Sequence, residues 1–229
     1  MGTSKGYIPP KNTDWKKAKA AVTRMINNNE KSLGIKNAVS EYAKAYSSTH
    51  LGNSKLGTVS GSVIGFLLNA KQYGLDKALS DEGLDFLVGK PTDEIYIGLT
   101  DYFCTDNSTI DESVIRDCIV EIFTDNNIVD FEDLDKLDGN ILLQNFIIKY
   151  IQINFEVAFT EKIYGVCENQ DKAKSYIKDV KQYIDDTIRN LYEMDELLGI
   201  NWKGKEGKDF IDKKCKECYE LGVVVENMD

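Results

Sequence analysis

Residues 141–164 read ILLQNFIIKYIQINFEVAFTEKIY. Leu142, Phe146, Ile147, Tyr150, Ile151, Ile153, Phe155, Val157 and Phe159 are spread around a helical projection instead of lining one stripe. A helix that is apolar on most sides must be covered on most sides by other elements. This stretch therefore predicts a central helix and, with it, an all-α fold: a multi-helix, bundle-like body.

The flanking segments repeat the helical period in amphipathic form. On the carboxyl side, Asn169 or Asp171 can cap a long helix reaching about Leu198, carried by Ala173, Tyr176, Ile177, Val180, Ile184, Ile188, Leu191 and Leu198. Gly199, Gly204 and Gly207 mark a break, and Phe210–Leu221 forms a last helix. Strand-like alternation is scarce, with Val223–Val225 as a short exception. On the amino side, Thr109-Ile110-Asp111-Glu112 matches a capping box for a helix buried through Val114, Ile115, Cys118, Ile119, Ile122 and Phe123, and Phe131–Leu137 is an acidic connector. Pro91 and Thr92 open a helix running to about Cys104, preceded by a short amphipathic piece, Leu75–Leu79, and the segment Gly83–Val88.

Earlier in the chain, Gly57, Gly61 and Gly65 fall four residues apart within Leu56–Tyr73 and so share one helix face. Each interior glycine costs a helix about 1 kcal/mol relative to alanine. The spacing makes sense when another backbone approaches closely, and tight helix packing is the expectation. Ser32–Ser48 is a helix with Leu33, Ala38, Tyr42, Ala45 and Tyr46 on its apolar side. Thr13 or Asp14 caps another beginning at Trp15 and broken at Asn27–Asn29. Residues 1–13, MGTSKGYIPPKNT, carry two Gly and two Pro with no apolar period, which predicts a flexible, extended arm ahead of a body spanning 14–229. Within that body, 89–92 and 125–139 are the candidate points of subdivision.

Composition bounds the function. Thirty-eight acidic against 28 basic residues give a formal charge of −10, which disfavours a broad phosphate-binding surface and direct nucleic-acid binding. The excess is not uniform, since Trp15–Lys36 holds Lys16, Lys17, Lys19, Arg24, Lys31 and Lys36 against Glu30. Five cysteines, an odd number in a chain of 229 residues, predict reduced thiols in a cytoplasmic protein and no disulfide framework. The longest apolar runs, such as Val63–Leu68, are far below the roughly 18 residues of a membrane helix, so no membrane partner is expected.

Chemistry-bearing residues are sparse. Cys215 and Cys218 form the one CxxC, a weak metal candidate because zinc needs four ligands and the single histidine, His50, lies far away in a polar loop. Two quiet thiols one helical turn apart are the simpler expectation. The glycine-rich Leu51–Phe66 lacks GxxxxGK[ST], and the acidic groups Asp130–Asp138 and Asp185–Glu196 lack a calcium-loop pattern. No cofactor and no catalytic residue are predicted, so the chain is expected not to be an enzyme. A cryptic metal-dependent nuclease or hydrolase is the rival from the enzyme class, and a generic helical adaptor with a disordered leader is the rival from the binding class. At the amino end, Gly2 follows the initiator methionine, and a small second residue permits methionine removal. The myristoylation pattern fails because position 6 is Gly6.

Several blocks in order, MGTSKGYIPP (1–10), WKKAKAAVTRM (15–25), AVSEYAKAY (38–46), GTVSGSVIGF (57–66), YGLDKAL (73–79) and LVGKP (87–91), resemble the B component of the Qat anti-phage defence system. The resemblance covers roughly residues 1–100 and continues beyond as a generic helical pattern. Ile8, Pro9 and Pro10 stand where the family start is richer in glycine. The resemblance implies a non-catalytic subunit working with an ATPase, a QueC-like deazaguanine-forming enzyme and a TatD-like nuclease. It further implies that Gly2, with Thr3 and Ser4 beside it, is a modification and partner-recognition element.

Overall fold

A computed structural model describes residues 10–27, 30–49, 56–104, 110–125, 138–192, 197 and 199–224. Every regular element among these residues is helical: α1 (Thr13–Asn27), α2 (Lys31–Thr49), α3 (Leu56–Tyr73), α4 (Leu75–Asp81), a 3-10 turn (Asp85–Leu87), α5 (Thr92–Phe103), α6 (Ile110–Asp125), α7 (Gly139–Val166), α8 (Gln170–Leu191) and α9 (Lys205–Val224). The predicted arm at 1–13, apart from its last residues, and the Thr109 cap lie outside the described residues.

The central helix is α7. Its 28 residues span about 42 Å at 1.5 Å per residue. From Leu142 to Phe155 all but Asn145 and Lys149 are buried, including Gln152 and Asn154. Gln152 is accommodated because its Nε2 donates to the Lys181 carbonyl at 2.9 Å. Among the described residues no helix is long and apolar enough to cross a membrane.

The chain divides into two compact units. The first comprises 1–53, 151–192 and 215–229, and the second comprises 54–150 and 193–214. Two of the four changeovers, 150/151 and 214/215, fall inside α7 and α9, and 89–92 and 125–139 both lie within the second unit.

In the first unit, α1 and α2 form a hairpin so close that a Cβ on Gly34 would stand 3.0 Å from the Met25 Cα. Trp15 is fully buried and donates its indole N–H to Thr49 Oγ1 at 3.0 Å. Around it, Tyr42 meets Phe155 edge-on at 5.3 Å, Tyr46 stacks on Tyr219 at 4.7 Å, and the Tyr42 and Tyr219 hydroxyls are 3.2 Å apart. Helix α8 joins through the Tyr176 hydroxyl, which donates to the Ile26 carbonyl at 3.3 Å, and through the ion pairs Lys31–Asp179 and Lys181–Glu156.

In the second unit, Val63, Ile64, Phe66 and Leu67 of α3 are buried, as are Ile95 and Leu99 of α5, Ile115 and Cys118 of α6, and Leu143, Phe146 and Ile147 of α7. Helix α4 stops at Gly83, whose φ of 73° is open to glycine at little cost, and Leu84 N–H reaches back to the Leu79 carbonyl at 2.9 Å.

Several local expectations need correction. The α1 cap is Asn12, whose side-chain oxygen accepts from the Trp15 N–H at 2.9 Å, because the helix begins at Thr13. Asn169, and not Asp171, caps α8, accepting from Lys172 N–H at 2.8 Å. Helix α8 ends at Leu191, not near Leu198, because Tyr192 turns extended at φ −72°, ψ 123°. Leu33 is exposed, and Val223 and Val224 continue α9 as helix instead of forming a strand.

Candidate functional site

The glycines of α3 sit against the 202–212 segment of the second unit. A Cβ on Gly57 would lie 2.6 Å from Asp212 Oδ1 and 2.7 Å from the Lys208 carbonyl oxygen. One on Gly61 would lie 2.8 Å from the Trp202 carbonyl oxygen, and one on Gly65 would lie 2.6 Å from the Trp202 Cβ. Gly207 takes the complementary position, where a Cβ would stand 2.5 Å from the Trp202 Cα. Backbone therefore meets backbone at Gly57, Gly61 and Gly207, and the Trp202 side chain meets backbone at Gly65, which a side chain at any of these positions would disturb. Trp202 is held edge-on to Phe210 at 5.6 Å, and the Asp212 carboxylate accepts a hydrogen bond from the Gly57 N–H. Burial pushes the Asp212 carboxyl above its usual value, opposed by Lys208 and by that N–H. Neither Trp202 nor Asp212 carries a local motif, so sequence reasoning missed both.

Beside this seat lies a groove of about 660 Å³ lined by Gly65, Leu68, Lys71, Asp138, Gly139 and Trp202 among others. Asp138 is occupied as the α7 cap, accepting from the Asn140 N–H at 2.8 Å. The lining contains no Ser, Thr, Cys or His among the described residues.

The cysteine pair has a different setting. Cys215 and Cys218 are both buried, and Cys218 faces an apolar void of about 20 Å³ with Tyr42, Ile151 and Tyr219, room for one water at most. Among the described residues no group of three or more His, Cys, Asp or Glu is placed to hold a metal. In the second unit, burial pushes the Cys118 thiol well up, and the Tyr96 hydroxyl is pushed up to about 12 by burial and by Asp117. Thiols so placed are poor nucleophiles. Gly2, Thr3, Ser4, His50 and most of Asp130–Asp138 lie outside the described residues. Of the acidic group 185–196, Asp185 pairs with Arg189 at 2.8 Å and Asp186 accepts from Gln182 at 2.9 Å.

Charge is sorted between the units. The first holds 16 Lys or Arg against 14 Asp or Glu, and the second holds 12 against 24. Residues 1–53 alone carry nine basic and three acidic side chains. The whole-chain value of −10 thus hides a basic amino-terminal region joined to a strongly acidic unit.

Known proteins bear on these features at the level of family. Residues 43–221, well over half of the chain, match the family model described as Qat anti-phage system associated protein QatB. No curated protein and no solved structure matches the chain. The match runs from α2 through α9, so the family pattern extends across the helical body well past residue 100. By that match the chain belongs to the QatB family of Qat anti-phage system associated proteins.

Proposed function

We propose that this chain is a non-catalytic, cytoplasmic docking subunit of the Qat anti-phage system, and that its Gly2 is conjugated to a deazaguanine-like base by the QueC-like enzyme of that system. The family match over 43–221 is the observation that carries the assignment to the defence system. The body supports a docking role because its conspicuous residues are spent on packing. The α3 glycines seat the 202–212 segment, and the CxxC thiols are buried beside an aromatic core. The candidate for chemistry is then the α-amine of Gly2, left after removal of Met1 and flanked by the small residues Thr3 and Ser4. Nine residues lie between Gly2 and the Asn12 cap, a contour length of at most about 35 Å, enough to enter another protein's active site while the body stays docked. The ATPase and the TatD-like nuclease are the other proposed partners.

Intact mass spectrometry of the protein co-expressed with its operon tests the modification. Loss of Met1 plus an adduct mapping to Gly2 is expected, and an unmodified terminus in a phage-protective system sinks the proposal. Deleting residues 1–10 is expected to abolish protection. If protection persists, the leader is dispensable and the chain is a plain helical adaptor. Turnover of nucleic acid by the purified chain with divalent metal would favour the nuclease rival instead.

A further inference from the structure

The outer face of α1 is cationic and unpaired. Lys16, Lys17 and Arg24 are exposed, share one helical side with Ala20 and Asn27, and make no ion pair among the described residues. The buried side of the same helix, through Trp15, Ala18, Val22 and Met25, points the opposite way. An acidic surface with the converse pattern exists in the second unit. Residues 75–103 hold seven Asp or Glu against two Lys; Lys77 pairs with Asp81 and Lys90 with Glu94, while Lys203 pairs with Glu82 and Arg116 with Asp101 from outside the segment, so the carboxylates still outnumber the cations beside them.

That acidic surface has an apolar centre. On α5, Ile97 is 60% exposed and lies between Asp93, Glu94 and Asp101 on the solvent side, of which Glu94 pairs with Lys90 and Asp101 with Arg116. The next residue, Gly98, packs on Leu87 of the 3-10 turn so tightly that a Cβ would stand 2.7 Å from the Leu87 Cδ1. Leu87 is flanked in the chain by two exposed apolar residues, Phe86 at 66% and Val88 at 39% exposure. Exposed aliphatic and aromatic groups rimmed by carboxylates mark an interaction site for a partner offering cations on apolar stems. Lys and Arg stems around Ala20 have that chemistry, and an arginine over Phe86 gains from the ring face.

We infer that two copies of this chain associate head to tail, with the Lys16–Lys17–Arg24 face of α1 in one copy seated on the Phe86–Ile97 patch of the next. The two surfaces are different, so the contact is heterologous and propagates beyond a dimer unless it closes into a ring. Its attraction is largely between exposed charges and weakens as salt shortens the screening length.

Two variants of the full chain separate this arrangement from any other. Lys16→Glu with Lys17→Glu and Arg24→Glu destroys the basic face, and Asp93→Lys with Ile97→Lys destroys the patch. All five positions are exposed, and circular dichroism verifies that each variant is folded. Sedimentation velocity of the unaltered chain at low ionic strength is expected to show assemblies that grow with concentration and weaken at least tenfold in affinity at about 0.5 M salt. Each variant alone is expected to be monomeric. Mixed, they retain one intact patch and one intact face between them, and a 1:1 dimer is expected. A chain that stays monomeric at low salt, an assembly that survives either variant, or a mixture that fails to pair overturns the inference.

Discussion

Gly61 and Gly165 are both helical glycines, and their surroundings make them opposites. Alanine at Gly165 meets nothing within 4 Å and removes a flexible residue from α7, so Gly165→Ala is expected to stabilise by about 0.5 kcal/mol. Alanine at Gly61 runs into the Trp202 carbonyl oxygen, where overpacking of about 1–3 kcal/mol exceeds the propensity gain of about 1 kcal/mol. Gly61→Ala should lower the urea midpoint while Gly165→Ala raises it. Equal shifts would mean that the α3 seat yields more than its geometry implies. At Asp212 the sign follows from burial. The folded-state value is raised above 3.8, so ionisation is disfavoured in the fold, and stability falls as pH rises from that value through the folded one. Asp212→Asn keeps an oxygen for the Gly57 N–H and removes this fall. Urea midpoints between pH 4 and pH 7 should shift in favour of the variant as pH rises, and a pH-independent difference would refute the assignment.

At the scale of the element, helix ends were less legible than helix interiors. The apolar period identified α1, α2, α6 and α8 because their buried residues recur every three or four positions, and Pro91 with Thr92 marked the start of α5. Which of several capping residues is used depends on the φ/ψ at the junction, so Asn12 displaced Thr13 and Asp14, while Asn169 was one of two choices. The Asn169 cap satisfies one of the orphan N–H groups of α8, and Asn169→Ala is expected to cost about 1 kcal/mol. Hydrogen exchange should show the loss first in the amides of 171–175. Unchanged protection there would mean that tertiary contacts alone hold this end.

At the scale of the whole molecule, α7 and α9 each run through both compact units, with buried residues on both sides of each changeover: Tyr150 and Ile151, Lys214 and Cys215. Separating the units would break helix in two places, which favours joint unfolding. The two tryptophans report on different units, Trp15 on the first and Trp202 on the second. In a Trp202→Phe variant, Trp15 fluorescence and far-ultraviolet circular dichroism are expected to trace one coincident urea transition. Separate midpoints would show that the units unfold independently.

The sequence by itself determined that the chain is all-α, that the stretch from Leu142 to Phe155 is buried on most sides, and that the amino-terminal region is basic within an acidic protein. These properties are local sums of side-chain chemistry over a fixed helical period. It also supplied the order of blocks that resembles the Qat family. Tertiary structure decided what the α3 glycines face, because Gly57 and Asp212 are 155 residues apart and nothing in periodicity pairs them. It decided as well that the chain twice re-enters the first unit through the middle of a helix, and that Leu33, Phe86 and Ile97 are exposed while Gln152 and Asn154 are buried. A helix period places residues on the same side of a helix. What lies opposite that side depends on which distant segments pack there.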